Sequence, residues 1–214
     1  MEYINIALAK GRLVDHTIEL LKDVDIVFPD YYPTSRKLIF DDAVNKIRIV
    51  LVKASDVATY VERGAADLGV IGKDSLIESG ASVFEVVDLR FGRCRFVVAG
   101  PDYTDLQKNK LIVATKYPKV TNQYFNEKGR TVETIYLNGS VELAPLVGLS
   151  DCIVDIVETG RTLKDNGLVV LEEIFEISAR LIVNKASFKT KHSRIDELIT
   201  NIQVTVNQKG AIHQ

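Results

Sequence analysis

The sequence lacks the features that mark secreted, disulfide-linked and membrane proteins. It has two cysteines among 214 residues, and both Cys94 and Cys152 lie in apolar, strand-like runs. Buried thiols in a reducing compartment are therefore favoured over a disulfide or a catalytic cysteine. No apolar run approaches the roughly 18 residues of a membrane helix, and the first residues show no secretory signal pattern. We expect a soluble, cytoplasmic protein.

Basic charge, metal ligands and several catalytic motifs are also lacking. The 27 Lys and Arg stand against 29 Asp and Glu, a net charge of −2, which argues against a nucleic-acid partner. His16, His192 and His213 share no spacing with each other or with the cysteines, which argues against a metal cluster. No Gly-x-Ser-x-Gly element supports nucleophile-elbow chemistry. Gly64 and Gly69 have the spacing of a P-loop, but Val-Ile follows instead of Lys-Ser/Thr.

Short β-rich runs alternate with amphipathic segments almost from end to end of the chain. This alternation predicts an α/β fold with largely parallel sheets. The rhythm runs twice, once on each side of residues 92–101, which indicates two α/β lobes. We assign residues 1–91 and 179–214 to lobe I and residues 92–178 to lobe II, so that the chain crosses between the lobes twice. Ligands bind in the cleft between the lobes of such architectures.

Local patterns refine this prediction at several points. The runs SRKLIFDD and KIRIVLVK are typical of an antiparallel pair of strands, and Arg36 lies in the first. Ser55 and Ser140 are predicted to cap the helices that follow them. The last helix is predicted over Arg194–Val206, because apolar residues recur there at helical spacing.

The stretch DCIVDIVETGRTLKDNG, residues 151–167, joins an apolar strand to a polar helix. CIVDIV predicts a fully buried strand that Asp155 interrupts, and Glu158 follows at its carboxyl end, where α/β ligand sites form. Thr159–Thr162 then opens a helix, whose outward N–H groups make a ready phosphate site. Gly160 allows close backbone approach or a positive φ. The segment therefore combines acids with a phosphate site.

Carboxylates beside a phosphate site would repel the phosphate unless they serve a group next to it. A ribose offers hydroxyls, which can donate hydrogen bonds to carboxylates. Carboxylate oxygens also bind Mg²⁺. A ribose 5-phosphate unit therefore explains Asp155, Glu158 and the helix start together. The alternative is a capped helix after a buried strand, with Thr159 as its N-cap and Arg161 as a solvated charge. That alternative leaves an acid in an apolar strand unexplained.

The segment Glu142–Leu163 resembles the ATP phosphoribosyltransferase family, enzymes of the first step of histidine biosynthesis. Its acidic turn is similar to the phosphoribosyl-diphosphate loop of phosphoribosyltransferases, although Ile156 follows Asp155 where the common loop has a second acid. The resemblance covers essentially the whole chain and continues in four further runs, AKGRL, SRKL, ADLGVIGKD and SARLI. It implies two α/β lobes around a cleft, of the type II periplasmic-binding-protein-like class.

The resemblance also implies an activity and roles for individual residues. The activity is transfer of a phosphoribosyl group from phosphoribosyl diphosphate to N1 of ATP, with release of diphosphate. The implied catalytic residues, which act on the leaving group, are Arg12 and Arg36. The implied donor-binding residues are Asp155, Glu158, Thr159, Gly160, Arg161 and Thr162. The implied nucleotide-binding residues are Lys10, Gly11, Lys53, Asp74 and Glu142. Without the resemblance, an exposed basic turn is favoured at Lys10–Arg12 and a surface charge at Arg36, and for Lys53 and Asp74 a surface charge and a binding role are equally favoured.

Cofactor and partner expectations follow from the same resemblance. Mg²⁺ is expected, held mainly by the substrate diphosphate. The chain ends at Gln214, soon after its last predicted helix, as in the short form of the family. That form works in a hetero-octamer with a regulatory subunit resembling histidyl-tRNA synthetase, so the same partner is implied here. Two alternatives stay open: a small-solute-binding protein of the same architecture, and a phosphoribosyltransferase that acts on a free base.

Overall fold

A computed structural model describes residues 2–212, so His213 lies outside the described residues. The strands, in chain order, are β1 (Ile4–Ala9), β2 (Ile39–Asp42), β3 (Ile47–Val52), β4 (Leu68–Gly72), β5 (Phe84–Asp88), β6 (Cys94–Gly100), β7 (Ile112–Thr115), β8 (Glu133–Tyr136), β9 (Cys152–Val157), β10 (Val169–Ile177) and β11 (Ala179–Val183). The helices are α1 (Arg12–Lys22), α2 (Ala54–Glu62), α3 (Lys73–Ser79), α4 (Pro118–Glu127), α5 (Leu143–Leu146), α6 (Arg161–Asp165), α7 (Lys185–Thr190) and α8 (His192–Ile212).

The chain divides into two compact units. Unit 1 comprises Met1–Gly92 and Ser178–Gln214, and unit 2 comprises Arg93–Ile177. Each unit has its own sheet, in the order β2-β3-β1-β4-β11-β5 for unit 1 and β10-β6-β9-β7-β8 for unit 2. The α/β organisation predicted from the sequence is therefore confirmed.

Both sheets are mixed, so the prediction of largely parallel sheets is wrong. In unit 1, β1 pairs parallel with β3 and β4, whereas β2 and β11 pair antiparallel with their neighbours. In unit 2, β7 pairs parallel with β8 and β9, whereas β6 pairs antiparallel with β9 and with β10. Parallel neighbours need a long crossover, usually a helix. Only Ser178 separates β10 from β11, so the returning chain runs straight from one sheet into the other.

The sheet of unit 1 buries both of its faces. Ile6 and Leu8 of β1 point to a core that includes α1 and α8, with Val14 and Ile195 among its buried residues. Alternate residues of the same strand, such as Ala7, point to a second core that includes α2 and α3. This alternation follows from the two-residue period of a strand. Helices on both faces leave the ends of the strands as the accessible edges of the sheet.

One face of the sheet of unit 2 packs against α5 and α6. Buried residues of β6, β7 and β9, including Ala114 and Ile153, form a cluster with Ala144 of α5 and Leu163 of α6. Other buried residues come from α4, among them Phe125. The five strands are thus held in place by short helices that begin at the carboxyl ends of β7, β8 and β9.

Several local predictions need correction. The antiparallel pair of β2 and β3 is confirmed, but β2 begins at Ile39, so Arg36 lies in the preceding loop. Helix α2 begins at Ala54 with Lys53 at its N-cap, because β3 runs to Val52 and leaves one residue for the turn. Ser55 is therefore not the cap, and its hydroxyl donates to Asp56.

Similar differences occur in the second half of the chain. Glu142, and not Ser140, stands at the N-cap of α5, because the chain at Ser140 turns with a positive φ of 49°. The last helix is longer than predicted, His192–Ile212, and the separate helix Lys185–Thr190 precedes it. That helix escaped the sequence analysis because it is short and has no buried residue among its described positions.

The two cysteines have different surroundings. Cys152 is buried in β9, and burial raises the pKa of its thiol to about 12. Such a thiol stays neutral and is a poor nucleophile. Cys94 is half-buried. Within residues 2–212, no helix is both long and apolar enough to cross a membrane.

The side chain of Asn184 joins the start of α7 to the end of α2. Its side-chain oxygen accepts hydrogen bonds from the N–H groups of Ala186 at 2.9 Å and Ser187 at 2.8 Å, which caps α7. Its side-chain amide donates to the carbonyls of Val61 at 2.7 Å and Glu62 at 3.2 Å, at the end of α2. The residue is buried, so both functions are protected from water.

Replacing Asn184 therefore tests how unit 1 is held together. We expect Asn184→Ala to lower the free energy of unfolding by about 2–3 kcal/mol, because a cap and a buried amide donor are lost together. Asn184→Ser keeps a capping oxygen and should lose less. Urea unfolding followed by circular dichroism measures both. Equal losses in the two variants would contradict the capping role.

Candidate active site

The predicted donor-binding residues lie at the carboxyl edge of the unit 2 sheet. Strands β7, β8 and β9 are parallel and end at Thr115, Tyr136 and Val157. After β7 the chain forms β8 on one side of β7 and later forms β9 on the other side of β7. The crevice between β7 and β9 is thus the point at which the strand order reverses, where α/β sheets bind ligands. The turn Glu158–Gly160 follows β9 directly at this point.

The turn after β9 has the conformation that the glycine predicts. Gly160 has a φ of 75° and stands at the N-cap of α6, which begins at Arg161. A left-handed residue here favours glycine. Thr159 is one residue before the cap, and its hydroxyl accepts weakly from the N–H of Arg161 at 3.4 Å. Thr159 and Thr162 are exposed, so their hydroxyls can reach a ligand at the start of the helix.

Asp155 is less buried than the sequence suggested. It lies opposite Val97 of β6, near the end of β9, and it is half-buried. One carboxylate oxygen accepts a hydrogen bond from the N–H of Ile156 at 2.8 Å. The acid is tolerated in an apolar strand because it stands near the edge, where the sheet meets solvent. Glu158 is exposed and Arg161 forms an ion pair with Asp165 at 3.5 Å, its side chain 86% exposed.

The other predicted residues, except Glu142, gather at the carboxyl edge of the unit 1 sheet. Parallel strands β1, β3 and β4 end there and are followed at once by Lys10, Lys53 and Lys73. The N–H of Lys10 donates to the carbonyl of Val52 at 2.9 Å, which places the first two turns side by side. The strand order reverses between β1 and β4. Lys10, Gly11 and Arg12 therefore flank a second switch point.

Arg36 reaches the same edge from a loop. The carbonyl of Leu38, two residues on, accepts from the N–H of Leu51 at 2.8 Å, near the end of β3. Because β2 runs antiparallel to β3, the loop before β2 lies at the carboxyl end of β3. Arg36 is exposed there, on the side of the sheet edge that carries Lys53.

Asp74 depends on a glycine beside it. It lies in the first turn of α3, and its carboxylate folds back over Gly72, the last residue of β4. A methyl group added at Gly72 would collide with Oδ1 of Asp74. The φ of Gly72 is −65°, which any residue adopts, so the obstacle to a side chain here is the Asp74 carboxylate, which would have to move away.

A charged network beside α3 escaped the sequence analysis. Arg180 forms ion pairs with Glu85, at 3.3 Å, and with Asp88. Lys73 also pairs with Glu85, and the hydroxyl of Ser178 donates to Asp88 at 2.6 Å. Burial pushes the pKa of Asp88 upward, but the donors around it outweigh burial and hold that pKa below its usual value. The run SARLI contained two of these residues, and only the pairing of β11 with β4 and β5 showed their partners.

The structure thus sorts the predicted residues into two groups. Unit 1 holds Lys10, Gly11, Arg12, Arg36, Lys53 and Asp74. Unit 2 holds Glu142, Asp155, Glu158, Thr159, Gly160, Arg161 and Thr162. Glu142 is separated by this division from the other predicted nucleotide-binding residues, because it opens α5 of unit 2.

The described residues suit a magnesium ion that the substrate itself carries. Within residues 2–212, no group of three or more His, Cys, Asp and Glu side chains could hold a metal alone. Mg²⁺ at substrate phosphates needs only one or two protein carboxylates. Asp155 and Glu158 supply that number at the edge of unit 2.

Two α/β units, each with polar residues at a switch point, define a protein of the type II periplasmic-binding-protein-like class. The aliphatic sulphonate binding protein SsuA of Escherichia coli shares this fold, with a TM-score of 0.61, 16% identity and coverage of 100% of this chain and 75% of SsuA. The predicted fold class is therefore confirmed.

Sequence similarity identifies the family. A family model described as ATP phosphoribosyltransferase matches residues 53–204. An ATP phosphoribosyltransferase of Caldanaerobacter subterraneus is 55% identical, over 97% of this chain and 99% of that protein. A chain of the ATP phosphoribosyl transferase (HisG:HisZ) complex from Thermotoga maritima has a TM-score of 0.83 and 36% identity, over 96% and 99% of the two chains. The chain belongs to the ATP phosphoribosyltransferase family.

The contact between Gly72 and Asp74 can be tested by a double-mutant cycle. We expect Gly72→Ala to displace the carboxylate of Asp74 and to raise the KM for ATP about tenfold, the equivalent of one charge-assisted hydrogen bond. Asp74→Ala should have a similar effect. The double variant should be no worse than Asp74→Ala alone, because the collision is then absent. Steady-state kinetics with each substrate varied gives these values, and additive losses would refute the link.

Proposed function

We propose that this chain transfers a phosphoribosyl group from phosphoribosyl diphosphate to N1 of ATP, the first step of histidine biosynthesis. The observation that carries the proposal is the turn Glu158–Gly160. It follows an acid-bearing strand at the switch point of unit 2, and its glycine opens a helix with a φ of 75°. Acids next to a helix start suit a sugar that bears a phosphate.

The donor is assigned to the carboxyl edge of unit 2. Thr159–Thr162 would bind the 5-phosphate through hydroxyl groups and the N–H groups that open α6. Asp155 and Glu158 would accept hydrogen bonds from the ribose hydroxyls. The exposed Arg161 adds positive charge next to the phosphate. Together these contacts would hold C1 of the ribose in a fixed position for attack.

The leaving group and nucleotide are assigned to residues with positive charge at the edge of unit 1. Negative charge grows on the diphosphate as its bond to C1 breaks, and Arg12 and Arg36 would stabilise that charge electrostatically. Lys10, Gly11 and Lys53 would bind the phosphates of ATP, and Asp74 and Glu142 would contact other parts of the nucleotide.

The reaction needs positioning more than proton transfer. The lone pair of adenine N1 forms the new bond to C1, while the C1–oxygen bond breaks and its electrons leave with the diphosphate. N1 carries no proton in neutral adenine, so the attack requires no strong base. Holding the two reactants in line is then a main contribution of the protein. The neutral thiol of Cys152 fits this scheme, because the attack needs no thiolate nucleophile.

Mg²⁺ completes the proposal, with Asp155 and Glu158 as the carboxylates that would contact a metal carried by the donor. Bound there, the ion would supply charge neutralisation for the diphosphate oxygens. Asp155 and Glu158 would thus contact both the ribose hydroxyls of the donor and the metal that the donor carries.

We also propose a partner and a compartment. The similar chain of Thermotoga maritima comes from a HisG:HisZ complex, which supports a HisZ-type regulatory subunit, resembling histidyl-tRNA synthetase, as partner here. A hetero-octamer is the assembly that the family's short form implies. A cytoplasmic location fits a biosynthetic enzyme whose substrates are ATP and phosphoribosyl diphosphate.

An assay of diphosphate release tests the function and its alternatives together. The protein is incubated with phosphoribosyl diphosphate, Mg²⁺ and either ATP or free adenine, with and without the HisZ-type subunit. Release that requires ATP supports the proposal. Release with adenine alone would indicate a free-base phosphoribosyltransferase, and binding of a small solute without any release would indicate a solute-binding protein.

Arginine substitutions test the stabilisation of the leaving group. We expect Arg36→Ala and Arg12→Ala each to lower kcat by roughly 10²–10³, the loss typical of one donor to a developing anion. Arg63→Ala is the matched control, because Arg63 is exposed at the opposite end of α2. Rapid measurement of product formation gives kcat, and near-normal values in both variants would refute the assignment.

Thr162 tests the position of the donor phosphate. We expect Thr162→Ala to raise the KM for phosphoribosyl diphosphate about fivefold to tenfold, with a smaller effect on the KM for ATP, since one hydrogen bond to a charged group is lost. Thr200→Ala, at an exposed position of α8, is the control. Equal effects on both substrates would contradict this division of roles.

A further inference from the structure

Thr115 is the last residue of β7, and it is completely buried at the carboxyl edge of unit 2. In the parallel pairing of β7 with β9, it lies opposite Val154, the residue immediately before Asp155. This register pair is the last that joins the two strands on either side of the switch point. Thr115 therefore lies at the carboxyl ends of the two strands that flank the switch point.

The hydroxyl of Thr115 makes two hydrogen bonds. Oγ1 donates to the carbonyl of Val154 at 2.7 Å, and it accepts from the N–H of Tyr117 at 2.8 Å. One side chain thus ties the peptide that leads into Asp155 to the turn that follows β7. A buried hydroxyl with both partners satisfied holds its neighbours in one arrangement.

The turn at the other end of this link is itself firmly held. Tyr117 is buried and packs edge-on against Phe96, with ring centroids 5.0 Å apart and planes at 88°. Its carbonyl accepts from the N–H of Thr121 at 2.9 Å and from the hydroxyl of the same residue at 2.8 Å. The hydroxyl of Thr115 can therefore transmit this rigidity to β9.

We propose that Thr115 is a positioning residue for donor binding. Its hydroxyl sets the orientation of the peptide between Val154 and Asp155, and so directs the Asp155 carboxylate toward the ribose hydroxyls. The inference rests on the proposed function, which supplies the ligand of Asp155. Thr115 touches neither substrate, and it acts through the backbone of β9.

The chemistry of the side chain explains why threonine is suited to this position. Valine has nearly the same shape but can neither donate nor accept, so it would leave the Val154 carbonyl and the Tyr117 N–H without this partner. A buried donor or acceptor that loses its partner costs free energy, which favours a rearrangement that satisfies it. Serine keeps the hydroxyl and loses only a methyl group. The two replacements therefore separate the hydrogen bonds from the packing.

The test measures the affinity for phosphoribosyl diphosphate in the presence of Mg²⁺ by calorimetry, together with the KM for each substrate. We expect Thr115→Val to weaken donor binding about tenfold and to leave the KM for ATP within about twofold. Thr115→Ser should restore donor binding to within about threefold. Thr115→Cys, with a weakly hydrogen-bonding thiol, should fall between them and replaces the valine variant if that does not fold.

Thr121→Val is the matched control. Thr121 is also a buried threonine of unit 2, and its hydroxyl donates to the carbonyl of Tyr117. Without that hydroxyl the carbonyl still accepts from the N–H of Thr121, and both hydrogen bonds of Thr115 remain. Unfolding experiments should show similar destabilisation of Thr115→Val and Thr121→Val, with donor binding weakened only in the first. Equally weakened donor binding in both variants, or unchanged donor binding in Thr115→Val, would overturn the inference. If the wild type is active, the proposed function stands in either case. A wild-type chain that binds no donor would overturn both.

Discussion

The parallel pairing of neighbouring strands is the constraint on which the rest of this protein depends. In unit 1 it aligns the carboxyl ends of β1, β3 and β4, and in unit 2 those of β7, β8 and β9. Each strand is followed within a few residues by a polar turn and a helix. Residues far apart in the chain, such as Arg12 and Asp74, therefore meet at one edge without any direct bond between them.

The two edges differ in charge, which suits the different groups that each would bind in the proposed reaction. Unit 1 presents lysines and arginines after its strands, among them Lys10, Arg12 and Lys53, which suits phosphates and a departing diphosphate. Unit 2 presents Asp155 and Glu158 next to a helix start, which suits a sugar with a phosphate. Buried cores on the sheet faces support these edges, and the hydroxyl of Thr115 links the end of β7 to β9 next to Asp155.

Prediction from the sequence succeeded where a local pattern has a single physical cause. Apolar runs located the strands, and a glycine after an acid-bearing strand indicated the positive φ that Gly160 shows. Prediction failed where distant residues decide the outcome. The sheets are not largely parallel because β6, β10 and β11 pair antiparallel with strands far away in the chain, and Ser55 is not a cap because β3 extends to Val52. The positions of Arg36 and Glu142 required the pairing of β2 with β3 and the division of the chain into units.

The sequence by itself determined the α/β class, the family and the residue types available for chemistry, since these follow from hydrophobic period and from local motifs. The tertiary structure alone decided which residues share an edge, how Gly72 makes room for Asp74, and how Thr115 reaches Val154 from another strand. Some of these contacts join residues of different elements, and others depend on the geometry of a single turn. Strand order and register, which local sequence does not encode, set the shared edges and the contact of Thr115 with Val154. The passage from β4 into α3 sets the contact of Gly72 with Asp74.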